Sequence, residues 1–252
     1  MNTEPKRRVA MTLLAHPDDA EILCAGTLIR LADAGWQVHI ATVANGDCGT
    51  ATLGRTEIAA IRHQEGISAA AKIGATYHCL EEPDVHVAFD KLTISKTIDL
   101  LRRVAPTLLF THPRHDYMLD HEQTHLLARA AAFSYAMPNA SKLPLIDGSA
   151  IPWVYYCDPV EGRDPYTGER VTPSTCIDVT DQLDRKVEML GCHASQRDWL
   201  RAHHGMDEYI DAMKRYCAER GQQIGAAYAE AFVQHRGHPF PTNDLLTEMF
   251  RK

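Results

Sequence analysis

The chain has 252 residues, 45% of them hydrophobic and 23% charged, the balance of a globular protein able to bury a core without staples. A formal net charge of -7 argues against a surface that tracks phosphates, so nucleic acid is not an expected partner. The 7 cysteines are odd in number and widely scattered, which disfavours a disulfide framework and a Cys-x-x-Cys metal site.

In chain order, Val9 to Ala15 is a short apolar run that reads as a buried parallel strand and ends at His16-Pro17. Asp18 and Asp19 then supply cap-type residues for a helix to about Ala34, closed by Gly35. A strand over Val38 to Val43 leads to a loop over Asn45 to Gly54 that carries Gly46, Gly49 and Asp47. A helix from Arg55 to about Lys72, a strand near Thr76 to Leu80 and a helix over Ile94 to Val104 follow. Leu108 to Thr111 is again a short apolar strand, stopping at His112-Pro113. His121 to Ser134 reads as helix, Trp153 to Cys157 and Cys176 to Val179 as strands, and Asp181 to Gly191 and Met206 to Val233 as helical stretches. The Pro- and Gly-bearing connection over 158–175 is read either as a lid or partner contact or as a plain surface excursion.

Strands alternating with helices predict an α/β, Rossmann-like fold with a mainly parallel sheet covered on both faces, where sites lie at the carboxyl ends of strands. Both His-Pro points fall at that edge. Nothing in the pattern splits the chain, so one domain over 1–252 is expected. No opening segment has the layout of a secretory signal and no stretch is apolar enough to cross a bilayer, so a cytoplasmic setting without a membrane partner is expected.

The first strand end offers Ala15-His16-Pro17-Asp18-Asp19-Ala20-Glu21, an imidazole beside carboxylates at a strand-to-helix turn. Zinc accepts His nitrogen and Asp oxygen, and catalytic zinc uses three protein ligands with a further position open. A remote ligand is therefore needed. The segment Asp116-Tyr117-Met118-Leu119-Asp120-His121, with His125 one turn on, follows the other strand end and can supply it.

These motifs resemble the PIG-L/LmbE-like N-acetylglucosaminyl deacetylases, a zinc-dependent family of Rossmann-like α/β fold. Its opening Ala-His-Pro-Asp-Asp-Glu is matched by Ala15 to Asp19, with Ala20 standing before the acidic Glu21. Gly46-Asp47-Cys48-Gly49, Arg62-His63-Gln64-Glu65, His193-Ala194-Ser195-Gln196 and Tyr228 to Phe232 resemble further family segments. The resemblance implies His16, Asp19 and His121 as zinc ligands and Asp18 as general base. It implies an N-acylated, chiefly N-acetylated, amino sugar or glycoconjugate as substrate. Another N-acyl amide, such as a thiol conjugate or acylated antibiotic, is the alternative, and a homo-oligomer is compatible with it.

One departure bears on mechanism. Where many family members carry a histidine that helps stabilise the tetrahedral intermediate, this chain has Met118, whose thioether donates no hydrogen bond. His115, Tyr117 or His193 must then assist, His193 being the leading candidate, or the protein is a weakly active or non-catalytic sugar binder. Asp120 is expected at the site, either in catalysis or orienting an imidazole. Arg62 is read as a substrate contact, as a solvated helix face or as an ion pair with Glu65, and Asp47 as a pocket residue or an Asx-turn. Tyr209, Tyr216, Tyr228 and Phe232 read as packing or a subunit interface.

Overall fold

The computed structural model describes residues 7–204 and 209–251, with the side chains of 198 and 201–204 left aside. Its centre is a 7-stranded sheet. The strands are β1 (Val9–Leu14), β2 (Gln37–Ala44), β3 (Thr76–Glu82), β4 (Leu108–Thr111), β5 (Trp153–Cys157), β6 (Thr175–Asp178) and β7 (Ala229–Gln234), in the spatial order β3-β2-β1-β4-β5-β7-β6. All pairings from β3 across to β5 are parallel, whereas β7 runs antiparallel to β5 and β6. The mainly parallel α/β fold expected from the sequence is the fold observed.

β1 lies between β2 and β4, with Leu13 opposite Ala41 on one side and Thr111 on the other. All six of its residues are buried, as an unbroken apolar run requires of a strand covered on both faces. Their alternation feeds two cores. Ala10 and Leu14 join Leu28, Ile40, Phe110 and Phe232 on one face, while Met11 and Leu13 join Val43, Leu101, Leu109 and Leu127 on the other. The first face is covered by α2 (Ala25–Asp33) and the second by α4 (Lys91–Val104) and α5 (Leu119–Ser134).

The chain walks outward from β1 to β2 and β3, then returns to place β4 on the other side of β1. A crevice opens where that direction reverses, beyond the carboxyl ends of β1 and β4. His16 and His112 follow those two ends.

Two helical expectations are corrected. The first helix is broken in two, α1 (Asp19–Leu23) and α2, at Cys24, whose φ of -148° and ψ of 9° are not helical. The stretch predicted from Met206 begins outside the described residues at 206–208, and its described part is α8 (Tyr209–Ile224) followed by strand β7. Alanine and glutamate at 226–231 favour helix locally, but the ladders from β5 and β6 on either side outweigh that weak preference. The remaining helices are α3 (Arg55–Ala71), α6 (Leu183–Leu190), α7 (Ala194–His204) and α9 (Leu245–Phe250).

The 158–175 connection is tied down at its start, where Asp158 Oδ2 accepts from Arg220 Nε at 2.6 Å, and Val160 reaches the crevice. No described helix is long and apolar enough to cross a membrane.

Candidate metal and active site

At the end of β1 the backbone turns sharply. Asp18 takes φ 106°, a left-handed conformation unusual for a residue with a Cβ, and its side chain makes no capping bond to α1. Asp19 Oδ2 instead accepts from the His16 amide at 2.7 Å, closing the turn. The result is that His16 and Asp19 face one point while Asp18 faces another.

α5 delivers the remote ligand. Asp120, His121, Thr124 and His125 are buried and lie on one face of this helix, the spacing that a 3.6-residue turn imposes. His121 Nε2 stands 3.3 Å from His16 Nδ1, and Asp19 Oδ1 is 3.7 Å from His121 Nε2. One ligand atom from each of His16, Asp19 and His121 falls within 4.8 Å of the others, so the three expected ligands converge. Each imidazole is held from behind by a carboxylate. His16 Nε2 lies 3.2 Å from Asp120 Oδ2, which also accepts from the Val85 amide at 2.6 Å. His121 Nδ1 lies 3.0 Å from Asp116 Oδ1. Carboxylates so placed fix which ring nitrogen faces the centre.

The electrostatics agree with the geometry. Burial works against a charge on Asp19, but His121 and His112 outweigh it and hold the carboxyl far below its ordinary range. Burial likewise opposes protonation of His121, and Asp19 and Asp116 overcome it and raise its pKa. Two imidazoles and an ionised carboxylate, each with its outer partner, are a donor set that fits zinc. His112 completes this layer, with Nε2 3.1 Å from Asp19 Oδ2 and 2.9 Å from the Ala15 amide.

Asp18 lies beside this centre. Its Oδ2 accepts from the Tyr209 hydroxyl at 2.5 Å, and its Oδ1 is 3.6 Å from Arg62 Nη2. Burial pushes its pKa up, against the opposing effect of Arg62. Arg62, 3% exposed, donates to Pro17 O at 2.8 Å and to Gly46 O at 3.3 Å, so it braces the motif from the far side. The glycine loop admits it. Gly46 has φ +80°, and a Cβ there would stand 2.6 Å from the Arg62 side chain. The alternative pairing with Glu65 does not form, because Glu65 accepts from the amide and hydroxyl of Ser195.

The crevice is a cavity of about 310 Å³ whose lining includes His16, Asp18, Asp19, Arg62, Met118, His121, Tyr209 and Tyr216. Tyr209 and Tyr216, read from the sequence as packing or interface, stand on its wall from α8, while Phe232 does lie in the core. Asp47 is not among the lining residues; its Oδ1 accepts from the Asp84 amide at 3.0 Å and its Oδ2 is 3.4 Å from Arg55 Nε. His193 does not line the cavity either. It is 1% exposed, with Nε2 3.3 Å from Glu21 Oε2, and Glu21 overcomes burial to raise its pKa. His125 Nδ1 lies 3.0 Å from His112 O, outside the cluster, and the exposed His115 pairs with Asp164 at 2.8 Å. Asp84 and His112 stand at the site although the sequence reading gave them no role, and so do Asp116, named only within its segment, and Tyr209, read as packing or interface. Asp116 and His112 carry a signal in the strand-end segment; Tyr209, at the start of a distant helix, carries none.

A doubly wound sheet with a His-Asp-Asp turn at its switch point and a His returning from the neighbouring strand's helix brings together a group that could hold a metal ion. Residues 11–132 match the model of the PIG-L family, described as GlcNAc-PI de-N-acetylase, the family that the motifs of the chain resemble. It is 27% identical over 247 residues to 4-oxalmesaconate hydratase of Pseudomonas putida, covering 94% of this chain and 90% of the relative. It is 24% identical to diacetylchitobiose deacetylase of Thermococcus kodakarensis, covering 72% and 67%. The crystal structure of N,N'-diacetylchitobiose deacetylase from Pyrococcus horikoshii superposes with a TM-score of 0.78 at 22% identity, covering 95% of this chain and 89% of that one.

Proposed function

We propose that the protein is a zinc-dependent hydrolase of an N-acyl, chiefly N-acetyl, amide on an amino sugar or related compound. The observation that carries this reading is the convergence of His16 Nδ1, His121 Nε2 and the Asp19 carboxylate beside a buried carboxyl that is not committed to the same point. A zinc ion held by these three would supply a Lewis acid that acidifies water and polarises an acyl oxygen.

The chain's own residues do the rest. Asp18 Oδ1 takes the proton of the attacking water, its basicity raised by burial. The Tyr209 hydroxyl and the Arg62 guanidinium hold Asp18 in one orientation and limit that rise. Asp120 and Asp116 fix the His16 and His121 rings. Asp18 returns the proton to the leaving amine, since Met118 at the cavity wall has none to give. His193 acts from behind as a positioning residue, through its charge on Asp18 and its pairing with Glu21. Elemental analysis of purified protein, followed by acetate release from N-acetylated amines with and without added zinc, tests the reading. Metal-independent release, or none with a full complement of zinc, overturns it.

A second reading is favoured by one observation: the relative matched over 94% of this chain is a hydratase, whereas the chitobiose deacetylase covers 72%. The same ligands and Asp18 could deliver water to a polarised double bond, with Met118 dispensing with an amine donor. Against it, the described cavity wall carries Asp18, Asp19 and Asp84 and, for cations, Arg62, which is already engaged. That wall suits a polycarboxylate poorly. Water addition to 4-oxalmesaconate, followed by loss of its absorbance, separates the two.

A further inference from the structure

Resting on the amide-hydrolase reading, we propose that the cavity selects an amide that carries an aromatic or similarly bulky apolar group, in preference to one carrying only a polyhydroxylated sugar. Around the ligating cluster the described wall is largely apolar. Ile22 and Val85 flank it, and Met118 together with Trp199, Leu200 and Met213 from α7 and α8 extends it. The rings of Tyr117 and Tyr216 extend this surface, and Tyr117 stands edge-on to His121 with centroids 5.3 Å apart.

Several polar groups on the same wall are spent inside the protein, the hydroxyls of Tyr117 and Tyr216 being left to face a ligand. Asp84 accepts from the Gly46 amide at 2.8 Å and from the Cys48 amide at 3.0 Å. Arg62 serves Pro17 O and Gly46 O, and the Tyr209 hydroxyl serves Asp18. Gln196 Oε1 is buried and accepts no hydrogen bond among the described residues. A pyranose brings several hydroxyls, and each one buried without a partner is costly, whereas an aromatic ring exchanges water for Trp, Leu and Met surface. A cavity of about 310 Å³ has room for such a group beyond the acetyl itself.

The test uses the full chain loaded with zinc and three amides: N-acetylglucosamine, N-acetylphenethylamine and N-phenylacetylglucosamine. The better of the two ring-bearing amides should exceed N-acetylglucosamine in kcat/KM by about tenfold or more, the scale set by burying an aromatic side group. Leu200→Asn should narrow that ratio towards one. Equal or higher kcat/KM for N-acetylglucosamine overturns the selectivity while leaving amide hydrolysis standing. Hydrolysis of none of the three overturns the hydrolase reading, and selectivity is then read by calorimetry with phenethylamine and glucosamine. Tighter binding of phenethylamine supports the apolar preference, and equal or weaker binding ends it.

Discussion

The hydroxyl of Tyr209, the first residue of α8, donates a 2.5 Å hydrogen bond to Oδ2 of Asp18, 191 positions earlier in the chain. The bond ties the candidate base to a helix that shares no strand with it. Tyr209→Phe should leave zinc content unchanged, lower kcat by roughly 10- to 100-fold and displace the acidic limb of the kcat/KM profile, because the hydroxyl favours ionised Asp18. Unchanged kcat and an unmoved profile would show the bond to be structural.

The assigned roles separate metal from base. His121→Ala should lose zinc and activity together, whereas Asp18→Asn should keep the metal and lose roughly 100- to 10,000-fold in kcat. Zinc per chain, measured alongside turnover, reads both, and equal zinc loss in the two variants would mean that the division is wrong.

Met118 lines the cavity where the resembling family places a histidine. Met118→His restores a donor at the wall and should raise kcat for amide hydrolysis by about tenfold. No gain, at equal zinc content, would mean that Asp18 alone already protonates the amine well enough not to limit turnover.

Lys186 and Glu230 form an ion pair in which both side chains are almost wholly buried, and Glu230 also accepts from the amides of Gly26 and Thr27 at 2.8 and 2.7 Å. Lys186→Met leaves that carboxylate buried with only amide partners and should cost roughly 3–5 kcal/mol, read as a fall in the urea midpoint. A shift within error would mean that Glu230 takes up a proton at little cost.

Acid should weaken the fold before it protonates ordinary carboxylates. Burial depresses His125 to about 4, below its ordinary value of 6.5. Because the folded pKa is the lower one, its neutral form contributes stability above about 6.5 that is lost as pH falls towards about 4. His78, also pushed down to about 4 by burial and then by His39, acts in the same window. Urea midpoints at pH 7 and pH 4.5 should differ less in His125→Gln than in the parent, and an identical difference would contradict the assignment.

How much of this was legible in the sequence depended on the distance between cause and signal. β1 and β4 announce themselves as unbroken apolar runs, and the His-Pro that ends each marks where backbone leaves the sheet, while the resemblance of the motifs there implied the three ligands before their convergence was visible. Asp116 and His112 sit in those same segments but act through other ligands, a role that spacing alone does not encode. β7 was hidden because its composition favours helix and its strand state is imposed by β5 and β6. Arg62 was read as a substrate contact, a solvated residue of its helix or a partner of Glu65, since nothing in that helix reveals that Gly46 leaves room for it beneath the turn.

The left-handed backbone at Asp18 carries an engineering consequence. A glycine at that position would release local strain of roughly 1–3 kcal/mol and harden the protein against heat, at the expense of the carboxyl proposed as the base. Consensus or thermostability screens that score melting temperature alone would therefore drift towards an inert variant at this one site.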